Sequence, residues 1–153
     1  MPLRIENRQR ALKLDTPGIR RLVNLILDDH GGAGSDLSVV FARDAFVKEL
    51  NAAYRDTDEA TDVLAFAMRD GELPGVDGDP EELEPVLGDV VISVDRAIAQ
   101  AQRYRRTPEH EVLTLVAHGV LHLLGHDHEN SSERTKMRNL ENRYVRTLSK
   151  NMQ

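Results

Sequence analysis

The sequence predicts a single α/β domain over residues 1–153: a mixed, mostly parallel sheet of about four strands flanked by five or six helices. Three observations lead there. Short β-branched runs alternate with segments of helical periodicity along the chain. No repeat, low-complexity tract or linker divides it. At 153 residues, 40% hydrophobic and 30% charged, it has ordinary globular composition, with enough length to bury roughly two thirds of its surface.

The elements follow in order. "LRIEN" alternates as a first strand. "DTPGIRRLVNLILDDHG" reads as a helix capped by Asp15 or Thr16, with Pro17 in its first turn and Ile19, Leu22, Val23, Ile26 and Leu27 on one apolar face. Gly31 and Gly32 stop it, and His30 in the last turn reads as a partner of the helix dipole. "LSVVFA" is a strand by its β-branched run. "DAFVKELNAAY" is a second helix with Phe46, Val47, Leu50 and Tyr54 inward. "TDVLAFAM" is apolar at nearly every position, which predicts a strand buried on both faces. "RDGELPGVDGDPEELEPVL" reads as an exposed connection. "GDVVISV" is a fourth strand and "DRAIAQAQRY" a helix leaving it directly. Thr107 and Pro108 open the next helix. Asn130 and Glu133 resemble a capping box before a last helix whose inner stripe is Met137, Leu140, Tyr144 and Leu148.

Composition excludes several classes. There is no cysteine, hence no disulfide or thiolate metal site, and ligands must come from His, Asp or Glu. No window approaches a membrane span and the start lacks the apolar core of a signal peptide. A cytoplasmic location is expected. The net charge of −6 is uneven: residues 56–95 carry thirteen acids and one base, leaving nineteen bases and thirteen acids elsewhere. A basic face for phosphate is therefore compatible with an acidic chain.

Four of the six histidines fall in one stretch of eleven residues, "HGVLHLLGHDH", His118 to His128. On a helix, His118 and His122 stand one turn apart on one face and aim at one point. A third ligand six residues on would lie about 240° round a continued helix, so the chain must break, and Gly125 is the residue to do it. His128 can then return to the same point. Three imidazoles with an open fourth position suit a catalytic zinc ion better than a closed structural site. The rival arrangement continues the helix and aligns His118, His122 and His126; Gly125, Asp127 and Asn130 argue against it. The spacing equals that of the metzincin proteases, H-E-x-x-H-x-x-G-x-x-H, and predicts a metzincin-like zinc helix. Gly119, however, stands where those proteases carry the glutamate that activates water, which counts heavily against a metallopeptidase.

These residues resemble the YbeY family of bacterial zinc-dependent endoribonucleases, whose hallmark is H-G-x-L-H-L-x-G-Y-D-H. "LNAAYRDTDEATDVLAF" from Leu50 to Phe66 is similar to the family's L-N-x-x-Y-R and T-D-V-L-S-F, and "LGDVVIS" from Leu87 to Ser93 to its G-D-I-x-I strand. Met137 and Glu141 echo a pattern in the last helix, and the likeness spans about residues 50 to 145. Two positions depart from it. His126 replaces the usual Tyr, adding an imidazole beside the metal as a proton carrier or competing ligand. Ala65 replaces a common Ser and removes a hydroxyl.

The resemblance implies an endoribonuclease acting on single-stranded RNA in 16S ribosomal RNA 3′-end maturation, ribosome biogenesis and ribosome quality control. It implies one zinc ion per chain on His118, His122 and His128, although three imidazoles also bind nickel, copper or cobalt. Arg55 is implied as the functional arginine, and a guanidinium meets phosphate oxygens with two parallel donors. Its ordinary alternative is a surface ion pair with Asp56, Asp58 or Glu59. Asp127 is an auxiliary candidate that orients an imidazole or assists proton transfer, and otherwise only forms a turn. Asp62 and Asp89, read as standing at strand starts, suggest structural hydrogen bonds. Arg103, Arg105 and Arg106 form a basic cluster of the kind usually solvated. Expected partners are ribosomal RNA and the small ribosomal subunit, with ribosomal proteins and an assembly GTPase as further candidates; neither membrane nor DNA is expected. Two other readings stand beside the nuclease: a ribosome-assembly factor with a structural zinc, and the metallopeptidase that Gly119 disfavours.

Overall fold

The computed structural model describes residues 3–32, 36–55, 61–67, 86–126 and 130–151, the side chains at 55, 67, 86 and 149–151 excepted. Strands and helices follow as β1 (Leu3–Asn7), α1 (Thr16–Asp29), β2 (Asp36–Ala42), α2 (Asp44–Arg55), β3 (Val63–Ala67), β4 (Val86–Ser93), α3 (Val94–Arg103), α4 (Pro108–Leu123) and α5 (Ser131–Asn151). The strands form one sheet in the order β1-β2-β4-β3, parallel except for β3, which runs antiparallel to β4. The predicted fold class is the observed one. The predicted connection over residues 69–87 falls almost wholly outside the described residues.

The alternation of β2 and β4 divides the core. Leu37, Val39 and Phe41 of β2 join Val90 and Ile92 of β4 in the main cluster, together with the inner faces of α1, α4 and α5. Val91 points the other way, toward Val47 of α2 and Leu64 of β3. Ile19, Leu22, Val23, Ile26 and Leu27 of α1 are all buried, as the periodicity predicts. Each such side chain contributes roughly 1.5–3 kcal/mol by leaving water. The Asp15 side chain caps α1 by accepting from the Gly18 N–H, with Pro17 in the first turn. Thr107 caps α4 by accepting from the His110 N–H, and Asn130 caps α5 by accepting from the Glu133 N–H at 2.8 Å.

Three expectations need correction. Tyr54 is 72% exposed: at the last turn of α2 its ring lies edge-on to Phe66 of the edge strand, centroids 5.7 Å apart, and is not enclosed. β3 is not buried on both faces: lying at the sheet edge, it leaves Val63, Ala65 and Phe66 half-buried, with Leu64 alone enclosed among its described side chains. Asp89 sits inside β4, opposite Phe66 of β3, rather than at its start.

Polar contacts fix the ends of the elements around β4. The Ser93 hydroxyl donates to Asp44 at 2.5 Å and accepts from the Arg96 N–H, capping α3 while holding the start of α2. Asp95 accepts from the Asp44 N–H at 2.7 Å and from Arg43 at 2.9 Å. The Asp62 carboxylate accepts from the Val63 N–H at 2.8 Å and from Gln100 at 3.1 Å, the structural bonding its position suggests.

Glu111 is the costly group in this core. It is buried on α4, and its Oε2 lies 3.5 Å from Arg106 without a hydrogen-bond partner. Burial raises its pKa against the opposing pull of Arg106. The folded state thus holds a proton on Glu111 more tightly than the unfolded chain, so stability falls as pH rises through that raised value. Glu111→Gln should stabilise the protein by about 1 kcal/mol near pH 7, a rise in Tm of roughly 2–4 °C. The gain should vanish in the ordinary carboxylate range, and thermal melts at the two pH values test it.

Candidate metal centre and cleft

α4 is positioned by its contacts with α1, α3, α5, β3 and β4. It ends as the glycine at 125 requires. The Gly125 N–H donates to the His122 carbonyl and the His126 N–H to the Leu121 carbonyl, with Gly125 at φ 103°. That bond pair is the Schellman closure of a helix, and glycine adopts its positive φ without strain. The straight stripe of His118, His122 and His126 is thereby ruled out, since the helix stops at Leu123.

His118 and His122 stand one turn apart on α4, the first half-buried and the second exposed. His118 is held from behind. Its Nδ1–H donates to the buried Glu141 of α5 at 2.5 Å, which leaves Nε2 with its lone pair. The Glu141 carboxylate raises the His118 pKa, against burial. An imidazole whose far nitrogen is anchored by a carboxylate is the usual arrangement of a metal-ligating histidine. The donor set fits a borderline-soft divalent ion such as zinc. Among the described residues, no three His, Asp or Glu side chains cluster closely enough to hold one. His128 and Asp127 lie outside the described residues, as does the Arg55 side chain, although the Arg55 backbone closes α2.

His118 opens into a cleft of about 460 Å³, bounded by Asp62 and Val63 on the β3 side and by Arg134, Arg138 and Glu141 on α5. His126 makes a different connection. Its Nε2 lies 2.9 Å from Nε2 of His30, whose Nδ1 lies 2.8 Å from the Ile26 carbonyl. A carbonyl only accepts, so His30 carries its proton on Nδ1. One Nε2 of the pair donates to the other, so the bond ties the His126 ring to His30. His30 thus bonds a terminal carbonyl of α1 and anchors the chain just beyond Gly125. Burial, then His30, lowers the His126 pKa.

Gly119 has a packing reason. A Cβ there would lie 2.5 Å from Cγ1 of Val90 and 3.3 Å from Cγ2 of Val63. The position that holds a catalytic glutamate in metzincins points here into the sheet and has no room for a carboxylate. The sequence reading gave no role to Glu141, Arg134 or Arg138. A carboxylate in the buried stripe of α5 was the available signal, since such a group needs a partner from another element. The arginines gave none, because exposed arginines on a helix are ordinary.

Residues 4–149 match the family model described as endoribonuclease YbeY. The endoribonuclease YbeY of Pelotomaculum thermopropionicum is 40% identical over 153 residues, covering 97% of this chain and 98% of that protein. That of Syntrophomonas wolfei is 47% identical over 112 residues, covering 72% of this chain and 71% of the relative. A Thermotoga maritima protein solved in solution superposes with a TM-score of 0.66 at 25% identity, covering 98% of this chain and 91% of that one. With the histidine helix, its carboxylate anchor and the mixed sheet in place, the chain belongs to the endoribonuclease YbeY family.

Proposed function

We propose that the protein is a zinc-dependent endoribonuclease that cuts single-stranded ribosomal RNA in 16S 3′-end maturation, ribosome biogenesis and ribosome quality control. The observation that carries this reading is the His118–Glu141 bond at 2.5 Å, made within a cleft that Arg134 and Arg138 also line. His118, His122 and His128 would hold the ion, one per chain. When bound, zinc supplies Lewis acidity toward water and phosphate oxygen. The protein's own residues supply the rest. Glu141 accepts the Nδ1 proton of His118 and fixes the ring's tautomer and direction. Arg55 places two parallel donors on the phosphoryl oxygens as charge builds there. His126 and Asp127 are the auxiliary groups for moving the proton that the leaving ribose oxygen needs. The setting is cytoplasmic, with the small ribosomal subunit as partner; no helix among the described residues is long and apolar enough to cross a membrane.

Metal removal tests the reading. Protein dialysed against a chelator should lose cleavage of a labelled 16S 3′-end fragment and regain it on adding one equivalent of zinc. Cleavage that survives with less than a hundredth of an equivalent of metal would overturn it. Glu141→Gln should weaken zinc binding about tenfold to a hundredfold, read by competition with a chromogenic chelator. An unchanged affinity would remove the carboxylate from the metal centre.

A further inference from the structure

We infer that α5 forms a phosphate-binding rim for the RNA strand, with Arg138 and Arg134 gripping the backbone beside the bond to be cut. The inference rests on the endoribonuclease reading and extends it to residues outside the histidine motif. Arg134 and Arg138 are four apart, hence one turn apart on one face of α5, and both are exposed. That face also carries Glu141, so the helix that anchors His118 at its floor presents two guanidinium groups at its lip. Two like charges at this spacing disfavour an isolated helix slightly, by about 0.2–0.5 kcal/mol. They are useful to a polyanion.

The cleft's carboxylates are engaged inside the protein. Asp62 accepts from Val63 and Gln100, and Glu141 from His118. Arg138 makes no ion pair among the described residues, unlike Arg43 with Asp95 at 2.9 Å or Arg96 with Asp44 at 3.2 Å. What stands exposed at this wall is cationic, since Arg134 and Arg138 are exposed while Asp62 is half-buried and Glu141 buried, in a chain whose net charge is −6. A guanidinium binds the paired oxygens of a phosphodiester whatever the base, so the rim positions RNA without reading its sequence. It would hold phosphates flanking the scissile one, leaving that one to the histidine centre and Arg55.

The test is binding of metal-stripped protein to a fluorescein-labelled single-stranded RNA of twelve nucleotides, by anisotropy at several salt concentrations. Arg138→Ala should weaken binding roughly fivefold to tenfold at low salt. It should also make the slope of log affinity against log salt shallower by about 0.7, the value for one lost single-strand phosphate contact. The double change with Arg134→Ala should lower the slope by about 1.4. Arg146→Ala removes the same charge from the same helix away from the cleft and should do neither. In zinc-loaded protein, Arg138→Ala should raise KM with kcat nearly unchanged. If Arg138→Ala and Arg146→Ala give the same slope and affinity, the rim is overturned whether or not the protein cleaves RNA. If the slope falls as expected while zinc-loaded protein fails to cleave, the rim stands and the nuclease reading falls.

Discussion

His122→Ala is expected to lower metal-dependent RNA cleavage by about a thousandfold while leaving the fold intact. His122 lies in the last turn of α4 and is exposed, so truncating it opens no cavity in the core. Its loss would take one of three imidazoles from the ion. The Lewis acidity of a fully ligated site is worth several kcal/mol, and each 1.36 kcal/mol is a factor of ten in rate. Wild type and variant should be purified in parallel, because a trace of contaminating nuclease would cleave equally in both. Circular dichroism spectra, and the melting temperatures of the metal-free proteins, should match. Equal cleavage by the two would assign the activity to a contaminant and move the protein to the assembly-factor reading. His118→Ala should lose as much activity but is a poorer first test, because it also strands the buried Glu141 carboxylate.

The two histidines behave differently because the sequence encodes their spacing but not their surroundings. The period of four placed His118 and His122 on one helical face, and Gly125 announced the break after them. Both are local properties of the chain, legible in a dozen residues. The partner of His118 comes from a helix twenty-three residues on, and that of His126 from one ninety-six residues back. Neither distance leaves a periodic trace. The same division holds for the fold. The inner face of α1 follows from helical periodicity alone. Whether an apolar strand lies inside a sheet or at its edge depends on which strands pair with it, so "TDVLAFAM" read as buried and was found at the edge. Tyr54 failed for the same reason: the periodicity gave the correct face of α2, but that face runs out of sheet at Phe66. The acid-rich segment between β3 and β4 misdirects in another way. Net charge is a sum over the chain, and the sum hides arginines on α5 at the cleft.

Gly119→Val should destabilise the protein by about 3 kcal/mol or more, lowering Tm by roughly 6–12 °C. The site is tighter than a usual helix–sheet contact. Even the Cβ of an alanine would lie 2.5 Å from one Val90 methyl and 3.2 Å from the other. Val90 is fully buried between α4 and the neighbouring strands, so its methyls cannot swing away. Gly119→Ala therefore sets two effects against each other. Alanine favours the helix by about 1 kcal/mol over glycine, whereas overpacking costs about 1–3 kcal/mol. The net loss should be small for alanine and large for valine, which adds two methyls and restricts its own rotamers. Gly125 provides the contrast. A Cβ there meets nothing within 4 Å, but its φ of 103° strains any other residue. Gly125→Ala should thus cost about 1–2 kcal/mol through backbone conformation alone. Denaturant melts of the three variants separate the causes. If valine at 119 were no worse than alanine at 125, α4 would not be seated on β4 as described. The consequence reaches the metal centre, because Gly119 follows His118 directly: a helix lifted from the sheet carries its imidazoles with it. Gly119→Ala should accordingly lose zinc affinity out of proportion to its small loss of stability, whereas a core change of similar cost at the far end of α1, such as Ile19→Val, should leave zinc binding unaltered.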